Sequence, residues 1–419
     1  MSTALNPVPF RALTLVLLLG LSAPALAKPD KANALATKLG AKEVAIEEGC
    51  KDGSTGGACG RKALERIRAK LKDAASGKGT VKILHLGDSH IAADYISGTV
   101  REELARKFKD GGRGFVPADQ KAGFGGRRLG GEPKGWERDR VVDSDDHAGR
   151  PYGFSGTAYT SSSKGAELSY ELAAGERRVD VWYQQSPEGS GLAVLVGKVS
   201  LGELDTKGAS TSMMKSFALK APAKKGNKVT LKALGPGVRV FGVSFETEKP
   251  GVQWISIGPV GADAKVYLQL GQESFAQNLK SLDPDLVVLM VGGNDALKMR
   301  KGRTDLDNVT QHHREVLGNL RTYLPDADCL VWSPMDAGVK EDGKVVSKAM
   351  LKEVRDMQRE LATKHGCAFW DLYESMGGDG SIAKWVAAGV MNEDLVHPKA
   401  AAAEALGKLF VAPFEKSVQ

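Results

Sequence analysis

The chain has 419 residues, 42% of them apolar and 26% charged, with Lys and Arg exceeding Asp and Glu by 7. This length suits two or three globular domains rather than one. The positive charges are scattered and form no basic block, which argues against a nucleic-acid partner.

The first 27 residues read as an export signal. Arg11 is the only charge before Lys28, residues 13–21 are apolar, and Ala25-Leu26-Ala27 supplies small residues at the cleavage positions. The apolar run is too short to span a bilayer, and no later segment is apolar enough to do so. The expected product is therefore periplasmic or secreted, without integral membrane association. An oxidising compartment lets the four cysteines pair. Cys50 and Cys59 lie close together in a Gly-rich stretch and are expected to form a local disulfide. Cys329 and Cys367 each open an apolar run. They pair if those runs are neighbouring strands, and otherwise stay as two buried thiols. Neither pair has CxxC spacing or histidine company, so no metal is expected, and no cofactor.

Residues 28–58 are rich in Lys, Ala and Glu and read as a weakly organised extension. Leu64, Ile67 and Leu71 at helical spacing predict an amphipathic helix over 61–73. A strand over 81–86 follows, then the turn Gly87-Asp88-Ser89-His90 and a helix over 93–109. Residues 111–135 turn Gly- and Arg-rich. The run from Gly123 to Gly131 lacks the spacing of a dinucleotide loop and follows no strand, so it is read as a surface loop. Between about 150 and 250, short alternating runs at 167–172, 178–183, 192–196, 217–219, 229–231 and 238–245 are separated by turn residues. That pattern predicts an antiparallel sandwich or jelly-roll-like module. Beyond 252, strands at 252–257, 286–291, 329–332 and 368–372 alternate with helices at 265–279, 306–322, 346–364 and 398–411. Alternation of this kind implies a doubly wound parallel sheet flanked by helices. The β-rich module interrupts it between its first and second strands.

Ligands in such sheets bind beyond the carboxyl ends of the strands. Gly87-Asp88-Ser89-His90, Gly258-Pro259-Val260-Gly261, Gly292-Gly293-Asn294-Asp295 and Asp394-Leu395-Val396-His397 all fall there. On these motifs the chain resembles the SGNH, or GDSL-type, hydrolase superfamily. Ser89, Gly261, Asn294 and His397 stand in its order and local contexts, over about 80–118 plus 252–415. A narrower resemblance is to the bacterial peptidoglycan O-acetylesterase group. It is carried by Gly87 to His90, Asp110 to Phe115, the β-rich insertion, Phe369 to Gly378 ahead of Trp385, and Asp394 with His397. In that group a carbohydrate-binding-like β piece is inserted in the hydrolase domain. The implied division is a signal peptide (1–27), an N-terminal extension and helix (28–79), a hydrolase domain (80–118 and 252–419), and a loop plus inserted module (119–251). Where the family has a glycine-containing turn after the histidine, Pro398 stands here, which a helix start accommodates.

The roles follow from chemistry. A serine hydroxyl is a poor nucleophile until a base takes its proton. His397 is the expected base for Ser89, oriented by Asp394. The backbone N–H groups of Ser89 and Gly261 and the side chain of Asn294 are the expected oxyanion donors. Asp88 is expected to fix the turn, and Asp295 to bond its own loop. His90 and Trp385 are candidate substrate contacts. The alternative for His90 is to cap the following helix, and for Trp385 to pack under the Asp394 loop. His85 is expected in the core. His312 and His313 are expected on a solvated helix face, and one of Trp182 and Tyr183 facing the core. The expected activity is release of acetyl groups from an O-acetylated glycan, peptidoglycan or an exopolysaccharide. The alternatives are an SGNH lipase or acyl-esterase, a polysaccharide acetyltransferase, and a wall-glycan-binding protein with a relic site.

Overall fold

The computed structural model describes residues 31–54, 59–118, 130–143 and 150–419. The export signal over 1–27 lies outside these residues, as does most of the Gly/Arg run from Gly123. Five strands form one parallel sheet in the order Gly251–Ile257, Thr80–Gly87, Leu286–Met290, Asp328–Trp332, Ala368–Trp370. Their sequences are continuous apolar runs because helices cover both faces. All five residues of Leu286–Met290 are buried. One cluster, including Leu84, Leu86, Leu289 and Val331, packs against the helix pair Gln272–Leu282 and Leu306–Tyr323. A second, including Ile83, Val288 and Leu330, packs against the helices Glu65–Ala75, Ile96–Phe108 and Ala400–Ser417.

One helix expected to be single is divided. Residues 265–279 form Ala264–Leu268 and Gln272–Leu282, because Gly271 takes a left-handed φ of 74° between them. The expected 93–109 helix runs over Ile96–Phe108, and a short helix, Ser89–Ala92, begins inside the expected turn ahead of it. A hairpin, Gly338–Glu341 with Lys344–Ser347, occupies the start of the expected 346–364 helix, which begins instead at Leu351.

The inserted module has two antiparallel sheets. One runs Thr211–Ala218, Arg178–Gln185, Arg239–Glu246, Thr157–Ser161, Trp136–Arg140. The other runs Glu132–Lys134, Glu167–Glu171, Lys228–Ala233, Leu192–Val196, Val199–Leu204. A core including Leu168, Val181, Tyr183, Val194 and Leu231 fills the space between them. The expected boundary at 118 moves back. Gly114–Pro117 pairs with Arg239–Glu246, so this segment belongs to the module's sheet. Trp182 and Tyr183 are both buried. Tyr183 lies in the sandwich core, and Trp182 packs edge-on to Phe115 and Phe154 while its Nε1–H donates to Ser244 Oγ at 2.8 Å. Neither offers a face for sugar.

The extension expected to be weakly organised is built into the domain. Helix Lys31–Lys38 packs on Ala400–Ser417. Glu47 and Phe369 exchange backbone hydrogen bonds of 2.8 and 2.9 Å, which covers the outer edge of the parallel sheet. Both disulfides are formed, Cys50–Cys59 and Cys329–Cys367, the second joining neighbouring strands. Among the described residues no helix is long and apolar enough to cross a membrane. Nor do they include a group of three or more His, Cys, Asp or Glu side chains placed to hold a metal ion.

Candidate active site

The strand Thr80–Gly87 delivers Ser89, the expected nucleophile. It ends at Gly87, where a Cβ would meet Ile91 Cγ1 at 2.4 Å, so only glycine permits so tight a turn. The Tyr267 hydroxyl donates to the Gly87 carbonyl at 2.5 Å, bracing the strand end. Asp88 is extended, and its Oδ1 accepts the His90 N–H at 2.9 Å. It is therefore the cap that starts the helix Ser89–Ala92. Asp88 thus holds the turn as expected, and the capping alternative for His90 gives way to it.

The acid–base pair comes from the loop before Ala400–Ser417. Ser89 Oγ lies 2.7 Å from His397 Nε2, and His397 Nδ1 lies 2.6 Å from Asp394 Oδ2. With the carboxylate on Nδ1, the neutral ring carries its hydrogen there and offers the Nε2 lone pair to the serine hydroxyl. Asp394 Oδ1 also accepts the N–H groups of Val396 and His397, each at 2.9 Å. One carboxylate thus folds the loop and orients the base. Burial alone would raise the Asp394 pKa, but the His397 side chain and the two backbone donors outweigh it and hold it below its ordinary value. Leu395 pays a conformational cost at φ 59°, and the Gly338 N–H holds its carbonyl at 2.7 Å.

Asn294 is the second residue of the helix Gly293–Arg300 and lines the same cleft as Ser89. Its Nδ2 donates to the Ala262 carbonyl at 2.8 Å, which leaves the second amide hydrogen for a ligand. Lys298 on the same helix pairs with Asp263 at 2.5 Å. These two contacts bind the helix to the turn carrying Gly261. Gly261 has φ 89° and stands on the exposed part of that turn, while Gly293 and Asn294 form the adjacent cleft wall. Gln358, wholly buried, donates to the Val291 carbonyl at 2.7 Å and supports the loop from behind.

Ser89, His90 and His397 stand between two depressions. One, of about 240 Å³, has largely apolar walls that include Met290, Leu297, Met335 and Leu351, with Lys348 as a cation on the lining. Burial, then Arg300, lowers the Lys348 pKa below its ordinary value. The other, of about 200 Å³, includes Tyr95, Asn392 and Lys399. Lys348 reaches the cleft only because the hairpin before it folds back, and nothing local in the sequence marks it.

Several expectations change. Trp385 is fully buried, its Nε1–H donates to the Met376 carbonyl at 3.2 Å, and it packs in the core and lines neither depression. His90 lines both depressions, but both ring nitrogens face groups of the protein, Asp88 and Val396. His313 is 1% exposed rather than solvated, with Nε2 3.5 Å from Asp295 Oδ1. Asp295 accordingly faces that histidine and not its own loop. The signal was present: Val309, His313, Val316, Leu317 and Leu320 mark one helical face. His85 is in the core, between Trp254 and Trp332 at 5.6 and 4.7 Å. Burial pushes its pKa down to about 3, and neither nitrogen has a protein partner.

Residues 233–405 match the GDSL-like Lipase/Acylhydrolase family. The match takes in Gly261, Asn294, Asp394 and His397 and begins inside the inserted module, which separates them from Ser89. No curated protein matches the chain in sequence. Among solved structures, a peptidoglycan O-acetylesterase is similar at 21% identity and a TM-score of 0.71, over 84% of this chain and 96% of that one. A Bacillus subtilis protein is similar at 14% identity and 0.36, over 68% and 90%. An acetylxylan esterase from Geobacillus stearothermophilus is similar at 17% and 0.30, over 39% and 72%. The first likeness establishes a shared fold, inserted β-sheets included, and the other two add no weight. With Ser89, His397 and Asp394 joined on that fold, residues 233–405 carry a domain that matches the GDSL-like Lipase/Acylhydrolase family, and the chain shares its fold with a solved peptidoglycan O-acetylesterase.

Proposed function

We propose that this protein is an exported serine esterase that removes O-acetyl groups from peptidoglycan or a related glycan through an acyl-enzyme on Ser89. The relay from Ser89 Oγ through His397 to Asp394, opening on a cleft of about 240 Å³, carries this reading. That volume lies below the roughly 300–1,000 Å³ of sites for drug-sized ligands, which favours a short acyl group. Ser89 Oγ attacks the acetyl carbonyl carbon as its proton passes to His397 Nε2. The tetrahedral oxyanion lies toward the Asn294 amide. The C–O bond to the sugar then breaks, and His397 returns the proton to the departing sugar oxygen. Water attacks the acetyl-serine with His397 again as base, releasing acetate and restoring Ser89.

Export is supported by the sequence of residues 1–27 and by the two disulfides, which suit an oxidising compartment. The solved peptidoglycan O-acetylesterase of like fold supports the choice of glycan. The test is acetate release from O-acetylated peptidoglycan, acetylated xylan and a long-chain ester, with wild type and Ser89→Ala. The expected order is peptidoglycan first, and Ser89→Ala inactive on all three. Undiminished release by Ser89→Ala ends the acyl-enzyme reading, and preference for the long chain ends the acetyl reading.

A further inference from the structure

His90 follows the nucleophile in the chain, and its side chain is only 6% exposed. Each ring nitrogen faces an acceptor. Nδ1 is 2.8 Å from Asp88 Oδ1, and Nε2 is 3.3 Å from the Val396 carbonyl oxygen. A carbonyl and an ionised carboxylate accept hydrogen bonds and donate none. A neutral imidazole has one N–H, so it satisfies one of these partners and turns a lone pair on the other. The imidazolium satisfies both. The second partner matters because Val396 lies between Asp394 and His397, in the loop where Leu395 holds its left-handed conformation.

We propose that His90 is a positioning residue that works as an imidazolium, clamping the Val396 carbonyl to Asp88 and so holding the Asp394–His397 loop in register with the Ser89 hydroxyl. This rests on the reading of Ser89, His397 and Asp394 as the hydrolytic triad. The groups that face His90 are Asp88 on its own turn and Asp394 and His397 from the loop. The His397 ring lies 5.1 Å away at a 30° tilt, and Tyr95 and Lys399 share the second depression. Burial opposes the charge. The Asp88 carboxylate and its hydrogen bond, the Val396 carbonyl and Asp394 outweigh burial and raise the His90 pKa above its ordinary value. When the proton leaves, Asp88 keeps the hydrogen on Nδ1, and the Nε2 lone pair is left facing the Val396 oxygen. The tether is lost and the loop is freed. Turnover then falls on the alkaline side, a limb that a neutral histidine base alone does not produce.

The test measures kcat and KM for p-nitrophenyl acetate against pH in wild type, His90→Gln and His90→Phe, with spontaneous hydrolysis subtracted. Nitrogen NMR of the imidazoles in Ser89→Ala accompanies it. Wild type is expected to lose kcat at alkaline pH. His90→Phe is expected to lose about 10- to 100-fold in kcat, with KM changed by less than about threefold, because the reacting groups are misplaced rather than absent. His90→Gln keeps a donor for Val396 and is expected to recover about tenfold over His90→Phe, with no alkaline limb. Both His90 nitrogens are expected to be protonated at neutral pH. An alkaline limb unchanged in His90→Gln, or a neutral His90 ring at neutral pH, overturns the proposal. If His90→Phe does not fold, His90→Gln and the NMR decide. Full activity in Ser89→Ala would remove the triad reading instead, and the NMR would still judge the clamp.

Discussion

Two aspartate–histidine pairs lie side by side at the carboxyl ends of the strands. In the loop before the last helix, Asp394 receives the Nδ1–H of His397 at 2.6 Å. In the nucleophile turn, Asp88 receives the Nδ1–H of His90 at 2.8 Å. The inner contacts are alike, and the spacings of three and two residues hardly differ. The outer nitrogen separates the pairs. That of His397 faces a hydroxyl, which can both give and take a proton, whereas that of His90 faces a carbonyl, which can only accept. Exposure follows the same division. Asp394 and His397 are partly open to solvent and Asp88 and His90 are enclosed. In the mechanism proposed above, one ring exchanges a proton at each turnover and the other keeps its own. Residue type does not assign the task; the partner on the far side of the ring does.

The sharpest way to break this comparison is to neutralise each acid. Asp394→Asn is expected to cut kcat about 10⁴-fold, because the amide no longer fixes the tautomer. Asp88→Asn is expected to cost far less in kcat. Equal losses in the two variants would erase the distinction. Next comes a residue outside both pairs. Trp385→Ala is expected to destabilise the protein by about 3–5 kcal/mol in denaturant unfolding, as large core truncations do. The more conservative Trp385→Phe should keep KM unchanged, whereas a raised KM would return Trp385 to the substrate site. Asn294→Ala is expected to lose about 10²–10³-fold in kcat with KM little changed, as for loss of one oxyanion donor. A loss confined to KM would instead make Asn294 a ground-state contact. The smallest effect is in stability. His90 has a raised pKa when folded, so its stabilisation is fully present below the unfolded value of roughly 6.5 and is lost as pH rises through the folded value. The stability gap between wild type and His90→Gln, about 1.5–3 kcal/mol for a charge-assisted bond, should therefore narrow on the alkaline side. A gap that widens there would assign His90 a neutral role.

Much of the fold was legible because its signals are local. The continuous apolar runs of the parallel strands and the alternating runs of the module reflect burial on two faces and on one. Ser89, Asn294, Asp394 and His397 could be singled out because strand ends converge in such a sheet. The misreadings share a cause. His313 looked solvated because its neighbour His312 was weighed instead of its helical face. Trp385 looked available because it stands in the run of residues that carries the narrower resemblance, and a motif does not set which side of a helix is covered. Gly114–Pro117 looked like part of the hydrolase domain because its ladder partner, Arg239–Glu246, is more than 100 residues away.

The amino-acid sequence by itself determined the parallel sheet, the place of its interruption, and the chemical types of nucleophile, base and acid. Periodicity within a few turns or one strand carries the sheet and its interruption, while the strand-end motifs and the family resemblance they carry imply the nucleophile, base and acid. Only the tertiary structure set the atom that faces each histidine's second nitrogen, the Ser89 hydroxyl for His397 and the Val396 carbonyl for His90. It also brought Lys348 to the cleft and closed the hydrogen bond from His90 to Val396 across 306 positions. A histidine can donate, accept or do both. What it does is settled by the atom that packing sets against its second nitrogen, and that atom comes from the far end of the chain.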